Sequence, residues 1–253
     1  MSRNFELLQK LEQEHRSQAE VLARFQTSPA SEASSSDAEA ETEVPARMHS
    51  PDEVCQLVRR IFLPNPGGPK VVVFSSVERG AGCSWMAAHC AQELATQVRR
   101  SICLVDANLP FPALHNFFEV ENGQGFAETM AHSHSLAKCV TQLGPRNLWL
   151  LTSGYVPAAD MRLEPDSLHQ CMQKLRDEFE YTIIDAPPWT YLSHATVLGS
   201  AADGVVLVLK ANSSHRGASQ RVASEIKTAN IPLLGAVLNQ RTFPIPQAIY
   251  DRL

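Results

Sequence analysis

VVVFSSVERGAGCSW, residues 71–85, is the stretch that decides the fold. It opens with a continuous β-branched apolar run, which is typical of a strand buried on both faces of a parallel sheet. The helical pattern MAAHCAQELATQV follows at 86–98, so Gly80 and Gly82 lie in a short loop between a strand and a helix. Such a loop is either a tight glycine turn or a phosphate cradle, in which main-chain N–H groups and the helix dipole face an anion. This stretch alone leaves both interpretations open.

Apolar runs alternate with helical patterns along the rest of the chain, and this order predicts an α/β fold. The segment 120–145 shows no clear periodicity. We expect a parallel sheet with helices on both faces, in three layers. The expected strands are Val71–Ser76, Ile102–Asp106, Leu148–Leu151, Thr182–Asp185, Val205–Leu209 and Leu233–Leu238, and the expected helices are Ser84–Val98, Pro165–Phe179, Leu192–Ser200 and Ser214–Ala229.

Two acidic residues, Asp106 and Asp185, each end an apolar strand. The carboxyl ends of parallel strands meet at one edge of the sheet, where ligands bind in such folds. Beside a phosphate loop, this is the position of a carboxylate that binds Mg²⁺ or orients water. Either aspartate alone could merely cap a loop. The combination of both with the glycine loop predicts a P-loop NTPase-like, Rossmann-like domain.

The loop departs from the P-loop motif G-x-x-x-x-G-K-[ST]. Aligned on Gly82, the chain has Cys83 at the position of the lysine and Ser84 at the position of the magnesium-binding hydroxyl. Val77 stands where the first glycine belongs. The candidate phosphate-binding residues are therefore Arg79, Gly80, Gly82, Cys83 and Ser84.

Composition divides the chain into three parts. Residues 1–26 form an amphipathic pattern, which fits either a surface helix or a docking helix for a partner. Residues 27–49 are rich in Ser, Ala and Glu without an aromatic residue, so we expect a disordered acidic linker before a domain at 50–253. A net charge of -5 and a pI of about 6.0 exclude bulk nucleic-acid binding. The chain shows no spanning segment and no secretion signal, and we expect a cytoplasmic protein.

Six cysteines without a C-x-x-C pair indicate reduced, mostly buried thiols rather than a zinc site or a disulfide framework. The pair His132 and His134 is read as part of a polar loop rather than as a metal site.

The sequence resembles the bacterial tyrosine kinases of capsule and exopolysaccharide synthesis, within the MinD/ParA-type class of P-loop proteins. The resemblance covers roughly residues 50–243. SSVERGAGCSW resembles the Walker A loop, LVDANLPFPALHNFF the Walker A′ segment and YTIIDAPP the Walker B strand. LWLLTSG, DGVVLVLKANSSHRGA and LLGAVLN resemble later strands, and DEVCQLVRRIF at 52–62 resembles the helix used for ring assembly.

The resemblance implies roles for individual residues. Asp106 would act on the attacking group and on Mg²⁺, Asp185 would hold the metal shell, and Ser84 would ligate Mg²⁺. Asn239, after the last strand, would lie near the adenine. ATP and Mg²⁺ are the implied cofactors if the site functions, and none is implied if it does not.

Several departures from the family remove function. Cys83 replaces the Walker A lysine, Asn108 replaces the second Walker A′ aspartate and Pro110 replaces an arginine. Trp85 stands where a small residue usually follows, and only Tyr250 remains of the C-terminal tyrosine cluster. These changes favour a regulatory or scaffold domain that binds nucleotide weakly or not at all.

The partner of such a domain would be a membrane-embedded polysaccharide co-polymerase-type adaptor or an active kinase paralogue, which would recruit it to the inner face of the membrane. Homo-oligomerisation would use residues 52–62. An active autokinase that uses Arg79 in place of the lysine and phosphorylates Tyr250 is the alternative. A MinD/ParA-like positioning ATPase is disfavoured, because that class carries a lysine where this chain has Glu78. The bulky residues Trp85, Pro110, Phe111 and Trp189 could also plug the site.

Overall fold

Seven strands form one sheet. They are β1 (Val71–Ser76), β2 (Ile102–Asp106), β3 (Val140–Gln142), β4 (Leu148–Leu151), β5 (Tyr181–Asp185), β6 (Gly204–Lys210) and β7 (Leu233–Asn239). The order across the sheet is β3-β4-β2-β5-β1-β6-β7. Every neighbouring pair runs parallel except β3 and β4. Strands β1 and β2 are buried along their whole length, which explains their apolar runs at Val71–Phe74 and Ile102–Val105.

The computed structural model describes residues 51–64, 67–131, 135–144, 147–155, 162–191 and 193–240. The chain divides into two units, Met1–Val44 and Pro45–Leu253, and every described residue belongs to the second. The predicted N-terminal helix, the linker and Tyr250 lie outside the described residues, so the proposed domain boundaries stay predictions.

Eight helices accompany the strands in the described part of the chain. The four predicted helices are confirmed to within two residues at each end. Three short helices were not predicted, and two of them lie in the segment 120–145, where no periodicity was visible. The helices are α1 (Pro51–Phe62), α2 (Cys83–Gln97), α3 (Leu114–Phe117), α4 (Phe126–Met130), α5 (Leu136–Cys139), α6 (Pro165–Glu178), α7 (His194–Ala201) and α8 (Arg216–Thr228).

Helices cover both faces of the sheet, which confirms the predicted three-layer α/β architecture. On one face, alternate strand residues such as Phe74 and Leu104 pack with α1 and α2. On the other face, residues such as Val73 and Val105 pack with α6, α7 and α8. Helix α2 lies close to the sheet because it buries small side chains, among them Ala87, Ala88 and Ala91.

The segment that lacked periodicity, 120–145, is held by main-chain contacts and one carboxylate. The N–H of Phe126 donates to the carbonyl of Thr152 over 2.7 Å. The Glu128 carboxylate accepts the N–H groups of Gly125, at 2.7 Å, and of Tyr155, at 3.1 Å. Its short helices are therefore fixed by tertiary contacts rather than by a long amphipathic pattern.

Within the described ranges, none of the helices combines the length and the apolar character that crossing a membrane requires.

Candidate functional site

The loop between β1 and α2 depends on its two glycines. Gly80 and Gly82 have φ angles of 80° and 79°, in the left-handed region that other residues avoid. A Cβ atom at Gly82 would lie only 2.3 Å from Nδ2 of Asn239, whereas a Cβ at Gly80 would meet open space. Gly82 is thus required by both conformation and packing, and Gly80 by conformation alone.

The carbonyl groups of this loop are bonded away from the site. Each of five carbonyl oxygens accepts a hydrogen bond from a group elsewhere in the domain or in the helix. The bonds run from Thr190 Oγ1 to Val77 O (2.7 Å), from Ser76 Oγ to Glu78 O (2.8 Å), from Gln240 Nε2 to Gly80 O (3.1 Å), from Asn239 Nδ2 to Ala81 O (2.9 Å) and from Met86 N to Gly82 O (3.0 Å).

The N–H groups of the same segment are turned the other way. Within the described part of the chain, the main-chain N–H groups of residues 79–84 donate to no acceptor. They include the first N–H groups of α2, which carry the positive end of its dipole. Free N–H groups converging beside a helix N-terminus bind anions, phosphate above all. This arrangement is compatible with the predicted phosphate cradle, and we call residues 79–84 the anion cradle.

A pocket of about 360 Å³ opens beside the anion cradle, which is within the range of small-molecule sites. Arg79, Gly82 and Ser84 line one side, and Asn108 and Phe111 line the other. Trp85 also lines the pocket, while Trp189 is buried in the core. Trp85 and Phe111 therefore line the pocket rather than fill it.

Asp106 and Asp185 lie side by side beneath the pocket. They are paired directly in the register of β2 and β5, whose neighbouring backbones are about 5 Å apart. Both residues are fully buried. The Asp106 carboxylate accepts the N–H groups of Ala113 and Leu114, each over 3.0 Å, and that of Asn108 over 3.3 Å. Neither carboxylate oxygen of Asp185 makes a hydrogen bond within the described residues.

Burial governs the protonation of both acids. Burial raises the pKa of Asp106 to about 6, although its three N–H partners and the neighbouring His115 act to lower it. Burial, and then the negative charge of Asp106, raise the pKa of Asp185 to about 8. The Ser84 hydroxyl and the Cys83 thiol lie close enough to lower that pKa in part, without reaching hydrogen-bond geometry at either oxygen.

Cys83 contributes no charge to the site. Its side chain is buried with the core residues beneath α2. Burial first, and the charge of Asp185 second, raise the pKa of the Cys83 thiol well above its usual range. The group is therefore a neutral thiol at the position where the motif has an ammonium.

Arg79 is the single cationic side chain among the described residues that line the pocket. Its guanidinium carbon lies 4.1 Å from the centre of the Phe111 ring, which is cation–π geometry. Glu78 faces another way, because its carboxylate accepts the Ser214 hydroxyl over 2.8 Å. The loop thus has one cationic side chain, Arg79, on its exposed side, and a neutral residue, Cys83, at its buried end.

The oxygen atoms beneath the pocket are of the kind that would hold a magnesium ion. Asp106, Asp185 and the hydroxyl of Ser84 are hard donors, which Mg²⁺ prefers. The unbonded oxygens of Asp185 leave acceptor capacity that a cation would use. The described residues contain no cluster of three or more His, Cys, Asp or Glu side chains for a metal, so the set amounts to two carboxylates and one hydroxyl.

The structure brings together nearly all residues predicted for the site. Arg79, Gly80, Gly82, Cys83 and Ser84 line the pocket, and the two aspartates lie below it. Asn239 is different, because it is buried behind the loop and is not among the residues lining this pocket.

Sequence reasoning missed Thr190, Ser214 and Gln240, which hold the loop through hydrogen bonds. Their residue types are common in loops, so only the fold reveals their role.

No family model matches the chain. The tyrosine-protein kinase YwqD of Bacillus subtilis is 30% identical over 174 residues, which cover 67% of this chain and 72% of YwqD. The tyrosine-protein kinase CpsD of Streptococcus agalactiae is 25% identical over 173 residues, or 68% of this chain and 75% of CpsD. The putative tyrosine-protein kinase EpsB of Ralstonia solanacearum is 24% identical over 180 residues, and the match spans only 24% of that longer protein.

Solved structures share the fold. The chimerical protein CapA2B2 has a TM-score of 0.70 at 21% identity, covering 76% of this chain and 85% of the other. The kinase domain of the Escherichia coli tyrosine kinase ETK has a TM-score of 0.64 at 23% identity, covering 70% of each chain. MinD of Pyrococcus horikoshii, solved with Mg-ADP, has a TM-score of 0.59 at 20% identity, covering 72% of this chain and 76% of that one.

Proposed function

Because the chain belongs to the bacterial tyrosine-kinase family, we propose that it is a regulatory or scaffold member with impaired phosphoryl transfer. It binds nucleotide phosphates weakly, through the main chain of the anion cradle. The observation that carries the proposal is the buried neutral thiol of Cys83 at the position of the motif's lysine.

The lysine that this chain lacks would contact a particular part of a nucleotide. In a P-loop the main chain cradles the α- and β-phosphates, whereas the lysine reaches the β- and γ-phosphates. Each charge-assisted hydrogen bond that is lost is worth roughly 1.5–3 kcal/mol. The cradle therefore still binds a diphosphate. It no longer binds a triphosphate more tightly than a diphosphate.

The transferred phosphoryl group also loses stabilisation. Negative charge spreads over its oxygens in the transition state. Enzymes of this class stabilise that charge with fixed cations. Mg²⁺ bound by Ser84, Asp106 and Asp185 would supply part of that charge. Cys83 adds nothing to it, and a thiolate there would repel phosphate.

The proposed biological setting is capsule or exopolysaccharide export. We propose a membrane-embedded co-polymerase-type adaptor, or an active kinase of the same family, as the partner that holds the domain at the inner face of the membrane. The amphipathic sequence at 2–15, which lies outside the described residues, and the exposed side of α1 are the proposed contacts. The apolar residues of α1, such as Val58 and Phe62, already pack against the core, so contacts through α1 would be polar, through residues such as Gln56 and Arg60.

An active autokinase is the second candidate, and the position of Arg79 in the pocket favours it. Arg79 is exposed and lies over Phe111 rather than over the acids, so it would have to move to reach a γ-phosphate. The proposed acceptor Tyr250 lies outside the described residues. For a positioning ATPase, Glu78 brings the wrong charge and is bonded to Ser214.

The test compares wild type with Cys83→Lys and with Cys83→Met, which matches lysine in length without its charge. In calorimetry, wild type and Cys83→Met should each bind Mg-ADP and Mg-ATP with similar affinity. Cys83→Lys should bind ATP more tightly by about tenfold or more. Autophosphorylation with labelled ATP should be absent in wild type. Robust autophosphorylation of wild type, or a marked preference of wild type for ATP, would overturn the proposal.

The partner is tested by co-purification from cells that express the adaptor. Deletion of residues 2–15 should reduce co-purification, while the fold, followed by circular dichroism, should stay intact. Unchanged co-purification would count against docking through that segment.

A further inference from the structure

Two carboxamide side chains at the end of β7 hold the anion cradle from behind. Nδ2 of Asn239 donates to Ala81 O over 2.9 Å, and Nε2 of Gln240 donates to Gly80 O over 3.1 Å. Neither side chain is among those that line the pocket. They therefore contact consecutive peptide groups of the loop on the side away from any ligand.

The orientation of the Asn239 amide is fixed at both ends. Its Oδ1 accepts the N–H of Gln240 over 2.8 Å, which leaves Nδ2 for the carbonyl of Ala81. Asn239 is 2% exposed, so it has no freedom to turn away. Gln240 adopts a φ of 57°, a conformation that non-glycine residues rarely hold without a compensating contact. Its side-chain bond to Gly80 is such a contact.

These bonds set the direction of the N–H groups. In a trans peptide the C=O and the N–H point in opposite directions. A carbonyl of Gly80 held outward directs the N–H of Ala81 inward, and a carbonyl of Ala81 held outward does the same for the N–H of Gly82. Because glycine permits either orientation of its flanking peptides at little cost, residues 80–82 would not hold this arrangement alone.

We propose that Asn239 and Gln240 are positioning residues, which keep the anion cradle in its binding conformation without touching the anion. The inference deepens the proposed function, since it rests on phosphate binding by the cradle. It gives Asn239 a role on the loop, distinct from the contact with the base that the family resemblance implies.

The test uses substitutions that keep the shape of each side chain and replace its NH₂ donor by an oxygen acceptor. Asn239→Asp keeps the acceptor for the N–H of Gln240 but places an oxygen against the carbonyl of Ala81. Gln240→Glu does the same against Gly80 at a partly exposed position. Asn230→Asp, exposed beyond α8, is the control with the same change in charge. All are titrated with Mg-ADP and with inorganic pyrophosphate, and the mobility of residues 79–84 is measured by amide NMR relaxation without ligand.

We expect Asn239→Asp to lose about tenfold or more in affinity for both ligands, and Gln240→Glu to lose less. The amide order parameters of Ala81 and Gly82 should fall in both variants, while those of β1 and β2 stay as in wild type. Affinities and order parameters equal to those of Asn230→Asp would overturn the inference. If Asn239→Asp does not fold, Gln240→Glu decides the question. Wild type that binds neither ligand would refute the proposed function, and the order parameters of the loop would still test whether Asn239 and Gln240 position it.

Discussion

The main chain of the anion cradle and the side chains beneath it differ in what they retain. Five carbonyls of residues 77–82 are bonded to other groups of the domain, and the N–H groups of the cradle remain available to a ligand. Beneath it, Asp106 and Asp185 are buried as a pair, and the residue above them is a neutral thiol. The main chain keeps the arrangement that the proposed anion binding requires, whereas the side chains lack the ammonium of the P-loop motif.

This difference shows that the two parts respond differently to substitution. The cradle depends on glycine conformation and on several bonds from β7, β1 and the segment after β5, so the loss of one side chain weakens it while the other bonds remain. The charge balance depends on single residues, and replacing one lysine by cysteine changes it entirely. Under the proposed function, such a member of the family would lose phosphoryl transfer and keep its phosphate site.

The largest effect should follow from breaking the cradle at Gly82. A Cβ there meets both the left-handed φ and the Asn239 amide, so Gly82→Ala should lower the free energy of unfolding by about 3 kcal/mol. Gly80→Ala is the matched control, since it shares the φ but meets open space and should cost only about 1 kcal/mol. Urea unfolding measures both. Equal losses would mean that packing against Asn239 does not hold the loop.

The acids beneath the cradle should make stability fall as pH rises in magnesium-free buffer. Asp185 holds its proton more tightly in the folded chain, with a pKa of about 8, than in the unfolded chain, where the pKa is about 4. Its stabilising contribution is therefore complete below pH 4 and is lost as the pH rises towards 8. We expect a loss of about 1 kcal/mol per pH unit between pH 5 and pH 7, measured by urea unfolding.

Asp185→Asn supplies the control for this pH dependence, because it removes the titrating group and should flatten the slope. Magnesium should flatten it as well in wild type, since a bound dication favours the ionised acids. A slope that is unchanged in Asp185→Asn would place the titration elsewhere. A slope that magnesium leaves unaltered would argue against a metal site formed by Ser84, Asp106 and Asp185.

Much of the fold could be predicted because its central strands are buried on both faces. Runs such as those at 71–76 and 102–106 are continuous and apolar, and each ends where the structure ends the strand. The region 120–145 could not be predicted, because its helices are short and are fixed by partners distant in sequence. Glu128, for example, binds the N–H of Tyr155.

Part of the candidate site could be predicted, because some of its residues are placed by their position at the end of a strand or in a loop. Asp106 and Asp185 end their strands, and the loop glycines lie between a strand and a helix. The bonds that shape the loop were not predictable, since Thr190 and Gln240 reach it across more than 100 residues. Asn239 shows the same limit, because its location was foreseen at the end of the last strand but its contact with Ala81 was not.

The smallest effect should come from Arg79, the cation of the pocket. Arg79 is exposed and already engaged with Phe111, so screening by water limits its contribution to binding an anion. Arg79→Gln should weaken Mg-ADP binding by about threefold to fivefold, which corresponds to a surface ion pair. Arg221→Gln on the exposed side of α8 is the control and should leave binding unchanged.

A loss of about a hundredfold would mean that Arg79 performs the task of the missing lysine, because a contact of that strength needs a desolvated, directed cation. The charge balance would then be restored from the loop itself, and the autokinase would become the better account of this chain.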